Sequence, residues 1–230
     1  MLIFWDIDGT LLTTARAGIH AWEAALRDVT GVDVSLDVFD TAGIPDFGIA
    51  LRLLTEQAGR PDPDESLVRG LVTRYEDLLP AALPRREGRV LPNVREILTT
   101  LAADADAHSM LLTGNTRRGA AAKLRHYQLA EFFEGGAFSD GTTDRDGIAR
   151  LAVEQARAGG RDTSRMFVVG DTPHDVRCGG SIGARTIAVA TGAYDQSALA
   201  AAGAWRVLAE LPPAADFLAM ISRSEVGADA

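Results

Sequence analysis

The chain has 230 residues, of which 47% are hydrophobic and 24% charged, and its net charge is −9. This predicts a globular chain of one large domain, or a main domain with a smaller insert. It speaks against a nucleic-acid or anionic-membrane surface, while no run approaches the ~18–20 apolar residues of a membrane span. A single cysteine, Cys178, precludes an internal disulfide and disfavours a Cys-based zinc site. Met1–Trp5 is too short an apolar run, without a basic flank, for a secretory signal, so the expected compartment is the cytoplasm. Of 23 Lys and Arg residues only Lys123 is a lysine, and its setting, Ala120-Ala121-Ala122-Lys123-Leu124, is not a Walker P-loop.

In chain order, the first buried strand is expected over Leu2–Ile7. Residues 15–87 carry helical patterns at Ile19–Val29, Phe47–Gln57 and Ser66–Leu79, with no clear strand. Gly31, Gly43-Ile44-Pro45 and Gly59–Pro63 separate them. From about residue 88 strands and helices alternate. Strands are expected at Met110–Leu112, Met166–Val169, Thr186–Ala190 and, more weakly, Trp205–Leu208. Helices are expected at Val94–Leu101, Gly119–Tyr127, Ile148–Ala158 and Asp175–Ile182. The pattern predicts an α/β fold: a Rossmann-like open parallel sheet over 1–14 and 88–230, with a small helical cap, 15–87, inserted after the first strand. Ser222 to Ala230 read as a solvated tail.

Three strand ends carry chemistry. Asp6-Ile7-Asp8-Gly9-Thr10 places two carboxylates beyond the first strand, where open α/β sheets bind ligands. A plain acidic turn is the alternative, and a calcium loop lacks its glutamate, since Ala17 stands at its twelfth position. Thr113-Gly114-Asn115-Thr116 offers a hydroxyl and helix-start N–H groups to an anion, or a simple helix cap. In Gly170-Asp171-Thr172-Pro173-His174-Asp175, Thr172, Pro173 and Asp175 form a good helix start, which leaves Asp171 without a role. If the strands are neighbours, Asp6, Asp8, Asp171 and Asp175 converge. Two carboxylates ~4 Å apart repel by roughly 4 kcal/mol at an effective dielectric of 20. Such a group calls for protonation or a hard dication, and Mg²⁺ with a phosphate suits it better than zinc.

Taken in order, these three stretches resemble the first, second and fourth motifs of the haloacid dehalogenase superfamily, and the helical insert resembles its phosphoglycolate-phosphatase-like, helical-cap subgroup. Leu91-Pro92-Asn93-Val94 is similar to the Pro-Gly-Val re-entry of that subgroup, with Asn93 in place of glycine. The resemblance implies that Asp6 is a nucleophile that becomes phosphorylated and Asp8 a general acid and base. It implies that Mg²⁺ is held by Asp6, the Asp8 carbonyl and Asp171, with Asp175 as ligand or support. Thr113, with the Gly114 or Asn115 N–H, would hold the phosphoryl oxygens.

The third motif departs from the family, which usually has a lysine there. The expected stretch, Ser139 to Gly147, offers only Arg145, with Lys123 on the preceding helix as rival or as an ordinary surface lysine. Gly179-Gly180-Ser181-Ile182-Gly183 matches a nucleophile elbow only as a string, because its strand and helix come in the wrong order. His20, His108, His126 and His174 lack ligand spacing, although His174 lies near the acidic motif. The expected function is Mg²⁺-dependent hydrolysis of a small phosphorylated metabolite under a mobile cap, by a monomer or homodimer. A mutase, a dehalogenase or a non-catalytic binding module on the same fold are the alternatives. Arg16, His20, Trp22, Ile44, Pro45, Asp46 and Phe47 are the residues expected to face the substrate from the cap.

Overall fold

The computed structural model describes residues 1–222; residues 223–230, nearly all of the expected tail, lie outside them. Six parallel strands form one sheet in the order β5-β4-β1-β6-β7-β8. They are β1 (Leu2–Trp5), β4 (His108–Leu112), β5 (Gly136–Ala137), β6 (Met166–Gly170), β7 (Arg185–Val189) and β8 (Arg206–Leu208). β1 is buried on both faces, which is why it reads as an unbroken apolar run. Ile3 and Trp5 join a cluster with Ile97, Leu98 and Phe217 from α4 (Val94–Ala102) and α9 (Ala214–Ser222). Leu2 and Phe4 join Ile148 and Ala152 from α6 (Arg145–Ala158) on the other face. From β1 the chain steps outward to β4 and β5 on one side and then crosses back to β6 on the other side of β1, so the strand order reverses between β1 and β6 and a crevice opens there.

A second, two-stranded sheet pairs β2 (Leu12–Thr13) with β3 (Arg89–Val90), antiparallel, where the chain leaves the main sheet and returns to it. Strands this short have no readable periodicity, and neither these two nor β5 is visible in the sequence pattern. Three helical segments lie between them: α1 (Ala17–Thr30), α2 (Asp46–Arg52) running into a π-helical turn at Leu53–Gln57, and α3 (Glu65–Ala82). α1 buries Ala17, Ala21, Trp22, Ala25 and Leu26, the stripe expected of a helix packed on one side. α3 starts at Asp64, whose side chain accepts from the Leu67 N–H at 2.8 Å. The two helices meet through the stacked rings of Trp22 and Tyr75, whose centroids are 3.9 Å apart.

Asn93 explains its own substitution for glycine. It precedes α4 at φ 62°, a left-handed conformation that asparagine tolerates better than other side chains, and its amide donates to the Leu211 carbonyl at 2.6 Å.

Candidate active site

The carboxyl ends of β1, β4 and β6 supply the site. Asp6 follows β1, and its N–H donates to the Val169 carbonyl at 3.0 Å, so the strand pairing carries on into the site. The chain then turns tightly, with the Leu11 and Leu12 N–H groups both donating to the Ile7 carbonyl. Gly9 makes this turn at φ 79°, and a side chain there would collide with the Asp171 carboxylate. Gly192, beyond β7, lies against the same carboxylate from another side and has no room for a Cβ either. Asp171 is thus seated between two glycines, and it accepts from the Thr10 hydroxyl at 3.2 Å.

Beyond β6, Thr172 and Asp175 make the capping box foreseen from sequence at the start of α7 (Pro173–Ser181). Asp175 Oδ2 accepts from the Thr172 N–H at 3.0 Å and its hydroxyl at 2.7 Å. The capping role does not exhaust this residue, because its Oδ1 forms a buried ion pair with Arg145. Beyond β4, Thr113 Oγ1 accepts from the Asn115 N–H at 3.2 Å and from its side-chain amide at 2.8 Å. Thr116 caps α5 (Arg117–His126) by accepting from the Gly119 N–H at 3.1 Å.

Carboxylate oxygens of Asp6, Asp171 and Asp175 lie within 4.8 Å of one another, all on buried residues. Burial and the neighbouring Asp175 push the Asp6 carboxyl up to about 7. Burial, Asp175 and Asp6 likewise push Asp171 upward. An all-carboxylate, mutually repelling donor set is what a hard divalent cation neutralises, so these residues fit such an ion. The Asp8 side chain stands apart from the cluster, being 43% exposed and turned toward α5.

Two cations enter the site, each with a different carboxylate. Arg145, at the head of α6, pairs with Asp175; burial opposes its charge, but Asp175 and Asp6 outweigh that and push its guanidinium up. Lys123 is not a surface helix lysine. Its residue is 4% exposed, with Nζ 2.5 Å from Asp8 Oδ2 and 2.6 Å from Asn115 Oδ1. Helical periodicity alone did not reveal this, because the face of α5 that carries Lys123 is buried by the loop in front of it and by α3.

The carboxylates open into a cavity of about 490 Å³ between the sheet edge and the helical segment. Of the residues expected to face substrate, Arg16, Trp22, Ile44 and Asp46 line it. His20 and Phe47 are not part of its wall: the His20 ring is bonded to Glu23 Oε2 at 2.9 Å and touches Arg86. Pro45 serves a different purpose, lying with Ile44 against Gly114 so closely that a side chain on Gly114 would meet them and Arg145. The adjoining Asp46 ties the helices to the sheet. Its N–H donates to the Gly114 carbonyl at 2.8 Å, and its Oδ2 accepts from the Thr116 N–H at 2.7 Å. Burial pushes the Asp46 carboxyl up to about 7, against the pull of Lys123. Phe39, Thr41, Tyr75 and Thr191–Ala193, which no sequence motif singles out, also line the cavity. Gly192 could have been found from its place beyond a strand end; Tyr75 is indistinguishable in sequence from a core aromatic.

A family model described as haloacid dehalogenase-like hydrolase matches residues 3–179, and a second, HAD-hydrolase-like, matches residues 146–213. No curated protein matches the sequence. Among solved structures, one described as a predicted phosphoglycolate phosphatase from Haemophilus somnus 129pt aligns with a TM-score of 0.74 at 17% identity, covering 95% of this chain and 96% of its own. A predicted phosphatase from Clostridium acetobutylicum aligns at 0.72 and 19% identity, covering 97% and 98%. A mutant of CbbY from Rhodobacter sphaeroides, in complex with xylulose-(1,5)bisphosphate, aligns at 0.73 and 21% identity, covering 91% and 93%. At these identities the likeness is one of fold.

Proposed function

The chain belongs to the haloacid dehalogenase-like hydrolases, and on that premise we propose that it hydrolyses a small phosphorylated metabolite with Mg²⁺, through a phospho-Asp6 intermediate. The observation that carries the reading is the buried triad of Asp6, Asp171 and Asp175 at the switch point of the sheet, with Arg145 beside it. In this reading residues 1–14 and 88–222 of the described chain would form the catalytic core and 15–87 the cap.

Asp6, Asp171 and the Asp8 carbonyl would hold Mg²⁺, with Asp175 supporting them. Bound there, the ion neutralises the crowded carboxylates and the phosphate charge. The Asp6 carboxylate attacks phosphorus while the bond to the leaving oxygen breaks, and Asp8 gives that oxygen its proton. Asp8 then takes a proton from the water that attacks the aspartyl phosphate, which frees phosphate and restores Asp6. Thr113, the Gly114 or Asn115 N–H and Arg145 would hold the phosphoryl oxygens, a preorganised stabilisation of developing charge. The Gly114 N–H is the readier of the two, because the Asn115 N–H donates to Thr113 Oγ1.

Hydrolysis is favoured over phosphoryl transfer to a second phosphorylated position by the makeup of the cavity wall. Among the described residues Arg16 is the only cation that the helical segment contributes to it, and Arg16 pairs with Asp37 at 3.0 Å. No described helix is long and apolar enough to cross a membrane. The test is a panel of phosphorylated metabolites assayed with and without Mg²⁺ on wild type and Asp6→Asn. Metal-dependent phosphate release by wild type alone is expected; metal-independent turnover, or an active Asp6→Asn protein, overturns the reading.

A further inference from the structure

The only lysine of the chain is built into the site in a way that neither the acidic triad nor the phosphate-binding loop requires. Lys123 Nζ bonds Asp8 Oδ2 at 2.5 Å and Asn115 Oδ1 at 2.6 Å, while the Asn115 amide donates to the same Asp8 Oδ2 at 2.9 Å and to Thr113 Oγ1 at 2.8 Å. The three side chains close a ring, and the ring fixes which way the Asn115 amide faces: its oxygen accepts from the ammonium, so its nitrogen must donate to Asp8. Asp8 Oδ2 is therefore held by two donors. Asp8 Oδ1 has no hydrogen-bond partner among the described residues, and Asp8 lines the cavity beside Asp6.

A lysine kept only for a surface ion pair would leave its ammonium in water, where the cost is least. Here the ammonium is desolvated, its side chain 6% exposed, against a carboxylate whose own side chain is 43% exposed. The buried partner therefore holds the more exposed one. A long lysine arm from the second turn of α5 and an asparagine from the loop before that helix reach the same oxygen, so the orientation of Asp8 is set by the sheet-end loop and its helix together. Arg145 does not share this work, because it is committed to Asp175.

We propose that Lys123 is a positioning residue for Asp8: with Asn115 it clamps Oδ2 and so presents Oδ1 to the oxygen of the departing alcohol. The inference rests on the phosphatase reading, with Asp8 as proton donor. It predicts that removing Lys123 matters in proportion to how much the leaving group needs a proton. An alkyl phosphate needs one, whereas p-nitrophenyl phosphate releases a stable phenolate and does not.

The experiment compares kcat/KM, which reports the step up to alcohol release, for p-nitrophenyl phosphate and for the best alkyl phosphate of the metabolite panel, on wild type and Lys123→Met with Mg²⁺ present. General acid catalysis is worth ~10²–10⁴-fold, and mispositioning without removal of Asp8 is expected to forfeit ~10–100-fold on the alkyl ester. The loss on p-nitrophenyl phosphate is expected to stay below about threefold. Equal losses on the two esters, or none on either, overturn the inference and leave the phosphatase reading standing. A wild type inactive on both esters overturns both. If Lys123→Met does not fold, Lys123→Gln, which keeps a donor but loses charge and reach, should show the same selective loss at smaller size; an unchanged ratio of the two esters is again the overturning result.

Discussion

The sheet edge and the helices above it are built on opposite terms. At the sheet edge, three buried carboxylates crowd together, and nearly every polar atom is fixed by a cap, a glycine seat or an ion pair. The helical segment presents Trp22, Tyr75, Ile19, Ile44 and Ile49 to the same cavity. It is tied to the core through the two hydrogen bonds of Asp46 and the ion pairs of Arg118 on α5 with Glu76 and Asp77 on α3. Labour is divided between the two regions. Charge is concentrated where backbone from three strands can hold it, and shape is left to helices that pack chiefly on one another.

If that division is right, substitutions at the sheet edge should abolish chemistry and those in the helices should change affinity. Asp6→Asn should lose at least ~10³-fold in kcat, as expected when a nucleophile is removed, while its melting temperature without metal at pH 8 stays level or rises, because one member of a repelling cluster is gone. Arg145→Met should cost ~10²–10³-fold in kcat. It should also destabilise the protein by ~3–5 kcal/mol in urea unfolding, since Asp175 is left buried without its partner. A folded, active Arg145→Met protein would move the phosphate-bridging role away from Arg145.

The acid cluster also predicts a pH dependence. Asp6 and Asp46 are raised in the folded state from the ordinary 3.8 to about 7. Between those values the native protein keeps protons that the unfolded chain has lost, so metal-free stability should fall as pH rises from about 4 to about 7. Thermal melts at pH 5 and pH 8 should differ in that direction, and Mg²⁺ should recover the share due to the triad but not that due to Asp46. Equal recovery in Asp46→Asn and wild type would confirm that the two acids lie in separate regions. The smallest effect is expected at the junction itself. Asp46→Ala strands the Thr116 N–H, at a cost of ~1–3 kcal/mol, and should raise KM by about tenfold with kcat nearly unchanged. A collapse of kcat instead would mean that the helices take part in chemistry.

Much of this was legible in the amino-acid order. Short apolar runs ending in Asp6, Thr113 and Asp171 marked the buried strands and their functional ends, because a parallel strand buried on both faces must be continuously apolar and its carboxyl end must open on the crevice. The capping box at Thr172 and Asp175 was visible because it is local. Capping and ligation are not exclusive, however, and the Asp175–Arg145 pair joins the start of α7 to the head of α6, which no local pattern reports. Among the helical residues Arg16, Trp22, Ile44 and Asp46 reach the cavity and His20 does not, since one helical turn decides which way a side chain looks and the packing of α1 on α3 sets that turn.

Apolar periodicity and local chemistry by themselves therefore determined the α/β class and the acidic strand ends, because both follow from burial pattern and from neighbours along the chain; the family followed from the resemblance of the motifs in their order. The place of the single lysine, by contrast, is set by long-range packing. Its helix carries no mark that distinguishes a solvated ammonium from a buried one. Asn115 and Lys123 lie in one loop-and-helix stretch, but the Asp8 turn, 107 and 115 residues away in sequence, had to be brought against that stretch before the three could close.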